Sequence, residues 1–219
     1  HQVCRFEFCL EMGLFADGII CDYNYLFDPH VYLKRFFAEG SKGENLFLID
    51  EAHNLLERGR EMYSAQLVKE ELLELKAAIR EYTDGKLRIF PELEAIVRQL
   101  NSCNKEMLSL KRQCLEEYLI LEDAGQLSSL VLRLNHLYTK IEKYLEDEEK
   151  DSDLRSQILD YYFKLSHFML IWESVDENYS VYLKFDKEGR FTCRLFCVNP
   201  SYQLRTCMDK GVSSILFSA

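Results

Sequence analysis

Asp50, Glu51 and His53 are the residues whose types and spacing point most directly to chemistry. Two carboxylates and a titratable imidazole fall within four consecutive positions. Carboxylates ligate hard cations and accept protons, and an imidazole changes charge near neutral pH. The three follow Leu46-Phe47-Leu48-Ile49, an apolar run that predicts a short strand buried on both faces. Open α/β sheets place their ligands at the C-terminal ends of such strands. The bland alternative is a strand that ends in a polar turn.

The surrounding composition sets limits. The chain has 219 residues, 47% hydrophobic and 29% charged, enough for one large or two small domains with a real core. Three prolines and nine glycines favour long helices over many short strands. The net charge of −10 argues against a protein that coats nucleic acid wholesale, so any phosphate contact must be local. No stretch of 18 apolar residues is present, and no membrane span is expected. The start, His1-Gln2-Val3-Cys4, lacks an initiator Met and a signal-peptide pattern. It reads as a piece that begins inside a longer protein. The eight cysteines include no C-x-x-C pair, and without secretory signals a reducing, cytoplasmic setting with free thiols is expected.

The elements that must position the acid pair can be read in order. Aromatic and apolar residues up to Phe15 suggest a short helix, and Gly18-Ile19-Ile20-Cys21-Asp22 suggests a buried strand. A helix is expected over about 30–38, then the strand that ends at Asp50. Strand, helix and strand in alternation imply a parallel sheet. Beyond Leu55 the apolar period becomes helical. Leu67 to Tyr82 mark one helix, and Pro91 opens a second that contains Cys103 and Cys114. Leu127 to Leu145 mark a third, and Leu154 to Trp172 a fourth. These stripes predict a helical bundle whose cysteines and aromatics are packing groups, not a cofactor box. From Val181 the period falls to two. Val181–Phe185 and Phe191–Cys197 flank Asp186-Lys187-Glu188-Gly189 as a hairpin. A short helix around 202–208 and a last strand over 213–219 complete the chain, which reads as cut there too.

The fold class expected is therefore mainly α: a helical bundle inserted into a partial α/β domain with a short parallel sheet and a β-hairpin. The divisions expected are 1–58, 59–179 and 180–219. The insert carries 16 Lys+Arg against 24 Asp+Glu, a net charge of −8 that accounts for most of the total.

This order resembles one family. Leu46-Phe47-Leu48-Ile49-Asp50-Glu51-Ala52-His53 resembles the Walker B motif of DEAH-box helicases. Ile19 to Pro29 resembles the segment ahead of that motif in XPD/DinG helicases of superfamily two, and Ser213 to Ala219 the start of their Ser-Ala-Thr motif. In that family a helical "arch" interrupts the first motor domain at this point. The resemblance covers essentially the whole chain; its motifs lie at the flanks, and within the arch only helicity and position agree. It implies a RecA-like motor that uses ATP and Mg²⁺ to move 5′→3′ along single-stranded DNA in repair or replication.

Carried over residue by residue, the resemblance assigns Asp50 to Mg²⁺ on the nucleotide phosphates and Glu51 to the attacking water. It makes His53 the link to Ser218 and Ala219. Cys4, ahead of Arg5-Phe6-Glu7-Phe8, resembles the last of the four cysteines that hold the family's iron–sulfur cluster, with Arg where Pro is usual. One cysteine cannot hold a 4Fe-4S cluster, so none is expected in this piece alone. A P-loop needs G-x-x-x-x-G-K-[ST], and Gly40-Ser41-Lys42-Gly43 does not meet it. This chain alone is expected to be inactive, and its parent a helicase. On the arch, Arg98, Lys105, Lys111 and Arg112, with Tyr118, Tyr138 and Tyr144, are candidates for strand contact against a plainly solvated face. The rival reading is a non-enzymatic helical module that docks a protein partner. Oligomeric state is not legible.

Overall fold

The computed structural model describes residues 4–33, 36, 45–146 and 152–218. In chain order its elements are α1 (Arg5–Gly13), α2 (Asn24–Phe27), β1 (Leu46–Ile49), α3 (Leu55–Met62), β2 (Ala65–Val68) and α4 (Lys69–Tyr82). Then come α5 (Pro91–Gln113), β3 (Tyr118–Ile120), α6 (Ser128–Leu145), α7 (Asp153–Glu173), β4 (Tyr179–Phe185), β5 (Phe191–Cys197), α8 (Ser201–Met208) and β6 (Ser213–Leu216). The expected class is present: mostly helix, with one short parallel sheet and one antiparallel sheet that contains the hairpin. Two compact units divide the chain, one of residues 1–63 and 199–219, the other of 64–198. The expected division at 59 and 179 differs from this one chiefly in the hairpin. β4 and β5 pair with β3 and β2, which puts the hairpin in the helical unit.

In the first unit β1 pairs in parallel with β6, Leu46 opposite Ser213 through Ile49 opposite Leu216. Gly211 makes the approach possible, since a Cβ there would stand 2.8 Å from the Asn45 carbonyl and 2.7 Å from the Phe47 ring. The Val212 N–H then donates to that same carbonyl at 2.9 Å. Gly59 lets α3 meet Pro200 and Leu204 closely. Tyr63, buried, donates its hydroxyl to the Phe27 carbonyl at 2.7 Å. Two expectations are corrected here. Residues 18–22 form no strand, and Ile19 and Ile20 stand exposed: an apolar run becomes a strand only where a neighbour completes its hydrogen bonds, and among the described residues none pairs with it. β1 and β6 are strands but are not buried on both faces, with Ile49 the buried member. The helix expected over 30–38 and the sequence 40–43 fall largely outside the described residues; 29–32 form a turn.

The second unit is the bundle, together with a four-stranded antiparallel sheet in the order β2-β5-β4-β3. α4 packs against α5 and α7, α6 against α5 and α7, and α7 against β2 and β5. The core is apolar and tightly enclosed. Leu72, Ile79, Ile96, Leu100, Met107, Leu134, Leu137, Ile158, Leu165 and Phe168 are almost wholly removed from water. Local chemistry sets the element ends. Pro91 starts α5, the Ser152 hydroxyl accepts from the Arg155 N–H at 3.1 Å to cap α7, and Gly85 closes α4 with φ of 72°. In the hairpin, Asp186 Oδ1 accepts the N–H groups of Glu188 and Arg190 at 2.9 and 2.8 Å, and Gly189 supplies φ of 76°. Leu67 and Val68, expected at the start of a helix, belong instead to β2, because β5 offers them an antiparallel partner. β3 is a strand that the helical rhythm concealed.

Candidate functional site

The acid pair sits at the C-terminal end of β1, where the chain leaves the parallel sheet. The two strands continue to hold each other beyond their last paired residues. The Phe217 N–H donates to the Ile49 carbonyl at 3.0 Å, and the Ala52 N–H donates to the Phe217 carbonyl at 3.0 Å. This crossed exchange brings the Asp-Glu-Ala-His turn alongside Phe217 and Ser218, although more than 160 residues separate them in sequence.

Within the turn, Glu51 adopts the left-handed conformation at φ 50°, ψ 40°, which is uncommon for a side chain of its kind. Its own N–H donates to Asp50 Oδ1 at 2.7 Å. The Tyr23 hydroxyl donates to the carbonyls of Asp50 and Glu51, the second at 2.9 Å. Tyr23 thus fastens both carbonyls of the strained step. Desolvation, helped by the negative charges of Asp50, Glu51 and Asp22, raises the Tyr23 pKa, while Arg58 opposes the rise. The hydroxyl therefore stays a donor across the neutral range. Tyr23 is the member of the site that the acid-pair pattern could not identify. The signal was present in its place inside Ile19–Pro29, the segment read ahead of the DEAH run.

His53 lies between the two halves of the site. Its Nδ1 is 2.5 Å from Ser218 Oγ and 3.3 Å from Glu51 Oε2. With a proton on Nδ1 the ring donates toward both partners; without it, the Ser218 hydroxyl donates to the ring. The imidazole is 56% exposed and the Glu51 carboxylate 50%, so water screens their attraction and the contact contributes little to stability.

Four of the expected site residues are therefore brought together: Asp50, Glu51, His53 and Ser218. Ala219 lies outside the described residues. Cys4 is elsewhere in the unit, an exposed free thiol at the N-cap of α1 that makes no capping bond from its side chain. Asp50 is exposed and, among the described residues, only one of its oxygens is engaged, by the Glu51 N–H, so its donor set suits a hydrated Mg²⁺ that keeps most of its waters. The iron–sulfur case differs. Four thiolates are needed, and among the described residues no three His, Cys, Asp or Glu gather as a metal-binding group. No helix among the described residues is long and apolar enough to cross a membrane.

Residues 1–72 match the family model DEAD_2. The match covers Tyr23, the Asp-Glu-Ala-His turn, α3 and the start of α4, and it supports a DEAD/DEAH-type domain related to helicases and ATP hydrolases. No curated protein matches the chain.

The contact candidates on the bundle divide. Tyr144 is 3% exposed and belongs to the core, because its position falls on the apolar stripe of α6. Tyr138 is stacked on Tyr162 with ring centroids 4.8 Å apart, and the two hydroxyls are 2.6 Å apart. Arg98 pairs with Glu94 at 3.3 Å, and the Lys111 ammonium sits 5.1 Å above the Phe185 ring. Lys105, Arg112 and Tyr118 face solvent.

Proposed function

We propose that the chain carries part of the first motor domain of an ATP-dependent DNA helicase of the XPD/DinG kind, with residues 64–198 as its arch. The observation that carries this reading is the contact of His53 Nδ1 with Ser218 Oγ at 2.5 Å. Were the acid pair only the polar end of a strand, nothing would require a titratable ring beside it to engage the far end of the chain. A motor has that requirement, since the nucleotide site must be tied to the track.

In this reading Asp50 would hold Mg²⁺, which would supply neutralisation of the nucleotide phosphates. Glu51 Oε accepts the proton of the attacking water, and the left-handed backbone fastened by Tyr23 aims that carboxylate. His53 shifts its hydrogen bond between Glu51 and Ser218 as the acid site fills. The reading also requires a phosphate-binding loop, a second motor domain and, for any 4Fe-4S cluster that Cys4 joins, three further ligands. Single-stranded DNA is the track, with 5′→3′ movement, in the cytoplasm and in the service of repair or replication.

The test is unwinding by the complete gene product on duplexes with a 5′ or a 3′ single-stranded tail. Displacement from the 5′-tailed duplex alone is expected. Displacement from the 3′-tailed duplex would overturn the polarity. No unwinding and no DNA-stimulated ATP hydrolysis would make the helical protein-docking module the better account.

A further inference from the structure

Tyr138 on α6 and Tyr162 on α7 meet ring to ring and hydroxyl to hydroxyl. Their ring centroids are 4.8 Å apart, the planes are 24° from parallel, and the two hydroxyl oxygens are 2.6 Å apart. Tyr162 also donates to Glu142 Oε1 at 3.4 Å, which leaves Tyr138 as the donor to Tyr162. The two phenols and the carboxylate thus form a chain that runs from Tyr138 through Tyr162 to Glu142. Both tyrosines are half-buried and Glu142 is exposed, so the chain ends at water. The other tyrosines of the two helices, Tyr144 and Tyr161, are buried.

Stacking alone does not require this geometry. Offset rings gain their contact wherever the hydroxyls point, and each hydroxyl of a half-buried tyrosine can bond to water. Here the phenol heads converge. The ring carbons ortho to each hydroxyl therefore lie against those of the partner ring. Those carbons carry much of the unpaired electron when a phenol loses an electron and a proton. Phe163, whose ring centroid is 6.0 Å from that of Tyr162, flanks the pair without a hydroxyl of its own.

We propose that Tyr138 and Tyr162 are a modification site: one-electron oxidation joins them as dityrosine and staples α6 to α7. Each ring gives up one electron, and its phenolic proton leaves along the chain to Glu142 and then to water. The proton path matters because desolvation, and then the bonds to Tyr138 and Glu142, raise the Tyr162 pKa, so no phenolate is present at neutral pH. The two radicals pair to form one carbon–carbon bond between ortho positions. The two ortho hydrogens leave those carbons as protons, and both oxygens regain theirs, which restores the phenols. Two equivalents of a one-electron oxidant, such as a peroxide-derived haem oxidant, take the two electrons, and water takes the two protons. The link closes a sequence separation of 24 residues, which lowers the entropy of the unfolded chain and favours the folded bundle. The cross-link does not depend on the helicase reading.

The test adds tris(bipyridine)ruthenium(III), a small one-electron oxidant, to the complete protein at neutral pH, followed by proteolysis and mass spectrometry. The expected product is a linked peptide pair that holds Tyr138 and Tyr162, lighter by two hydrogen atoms than the separate peptides. It should come from protein that still migrates as a monomer. Tyr138→Phe and Tyr162→Phe keep the stacked rings and should each abolish the product. Glu142→Gln removes the proton acceptor and should slow its formation. Tyr82→Phe, at an exposed ring away from the pair, should leave the yield unchanged. Oxidised wild-type protein should need more urea to unfold than equally oxidised Tyr162→Phe. Dityrosine found only in covalent dimers, or formed in preference between other tyrosines, would overturn the site. Equal urea midpoints would overturn the staple.

Discussion

His53 Nδ1 and Ser218 Oγ stand 2.5 Å apart across a sequence separation of 165 residues. The contact depends on the pairing of β1 with β6, and on the crossed hydrogen bonds by which Ile49, Ala52 and Phe217 hold the two strand ends together. Because the ring also reaches Glu51, one titratable group touches both the acid pair and the end of β6.

Ser218→Ala removes the hydroxyl and leaves the strand pairing intact. In the complete protein, stimulation of ATP hydrolysis by single-stranded DNA should fall about tenfold, within the usual range for coupling between sites. The KM for ATP should stay within about twofold, because no nucleotide contact is lost. Steady-state kinetics with and without oligonucleotide give both values. An equal fall in the DNA-free rate would place Ser218 in the chemistry and not in the coupling.

Tyr23→Phe deletes the donor to the carbonyls of Asp50 and Glu51 while keeping the ring. Chemical denaturation should show a loss of about 1 kcal/mol, the net worth of an ordinary hydrogen bond. The kcat for ATP should fall, with KM little changed, as Glu51 relaxes from its left-handed backbone. The pH dependence follows from the raised pKa of the phenol. The folded protein holds this proton more tightly than the unfolded chain does. Its contribution is therefore complete below the usual tyrosine value near about 10, and it is lost as pH rises through the higher folded value.

The thiols should divide by burial. Desolvation pushes Cys103 and Cys193 up to about 12, and both side chains are inaccessible. Cys4 and Cys9 are exposed. At pH 8 a thiol reagent should label Cys4 and Cys9 within minutes, and Cys103 and Cys193 only on unfolding. Cys21, whose thiol is raised by desolvation and by Asp22, should react more slowly than Cys4. Peptide mapping after timed labelling reads each site. By the same sign, the buried thiols favour the folded state fully below the ordinary cysteine range and lose that effect as pH rises through about 12.

Leu137, wholly buried on α6 where the bundle helices meet, tests the core. Leu137→Ala should cost about 2–5 kcal/mol in urea denaturation, with the far-ultraviolet dichroism of the native state unchanged. A loss below about 1 kcal/mol would mean that the helices repack without it.

Much of this arrangement is legible in the sequence, for identifiable reasons. Heptad-like spacing gives the bundle helices because each needs one apolar stripe, and Leu134, Leu137, Ile158 and Leu165 sit where that spacing puts them. The hairpin follows from alternation around Asp186 and Gly189. What escaped depends on partners distant in sequence. Leu67 and Val68 continue a helical stripe, and only β5 makes them a strand. Ile19 and Ile20 have the composition of a buried strand without a described neighbour to make them one. The acid pair and His53 stand out by type, whereas Tyr23 matters through its hydroxyl on backbone carbonyls, a contact that the acid-pair pattern does not encode.

The central claim is that Glu51 is the proton acceptor of an ATP-hydrolysing site, and one measurement tests it most directly. Glu51→Gln in the complete gene product keeps the size of the side chain and removes its basicity. DNA-stimulated ATP hydrolysis should fall on the order of 10²–10⁴-fold, the usual contribution of a positioned general base, with ATP binding retained. Hydrolysis at the wild-type rate in the Gln variant would contradict the account.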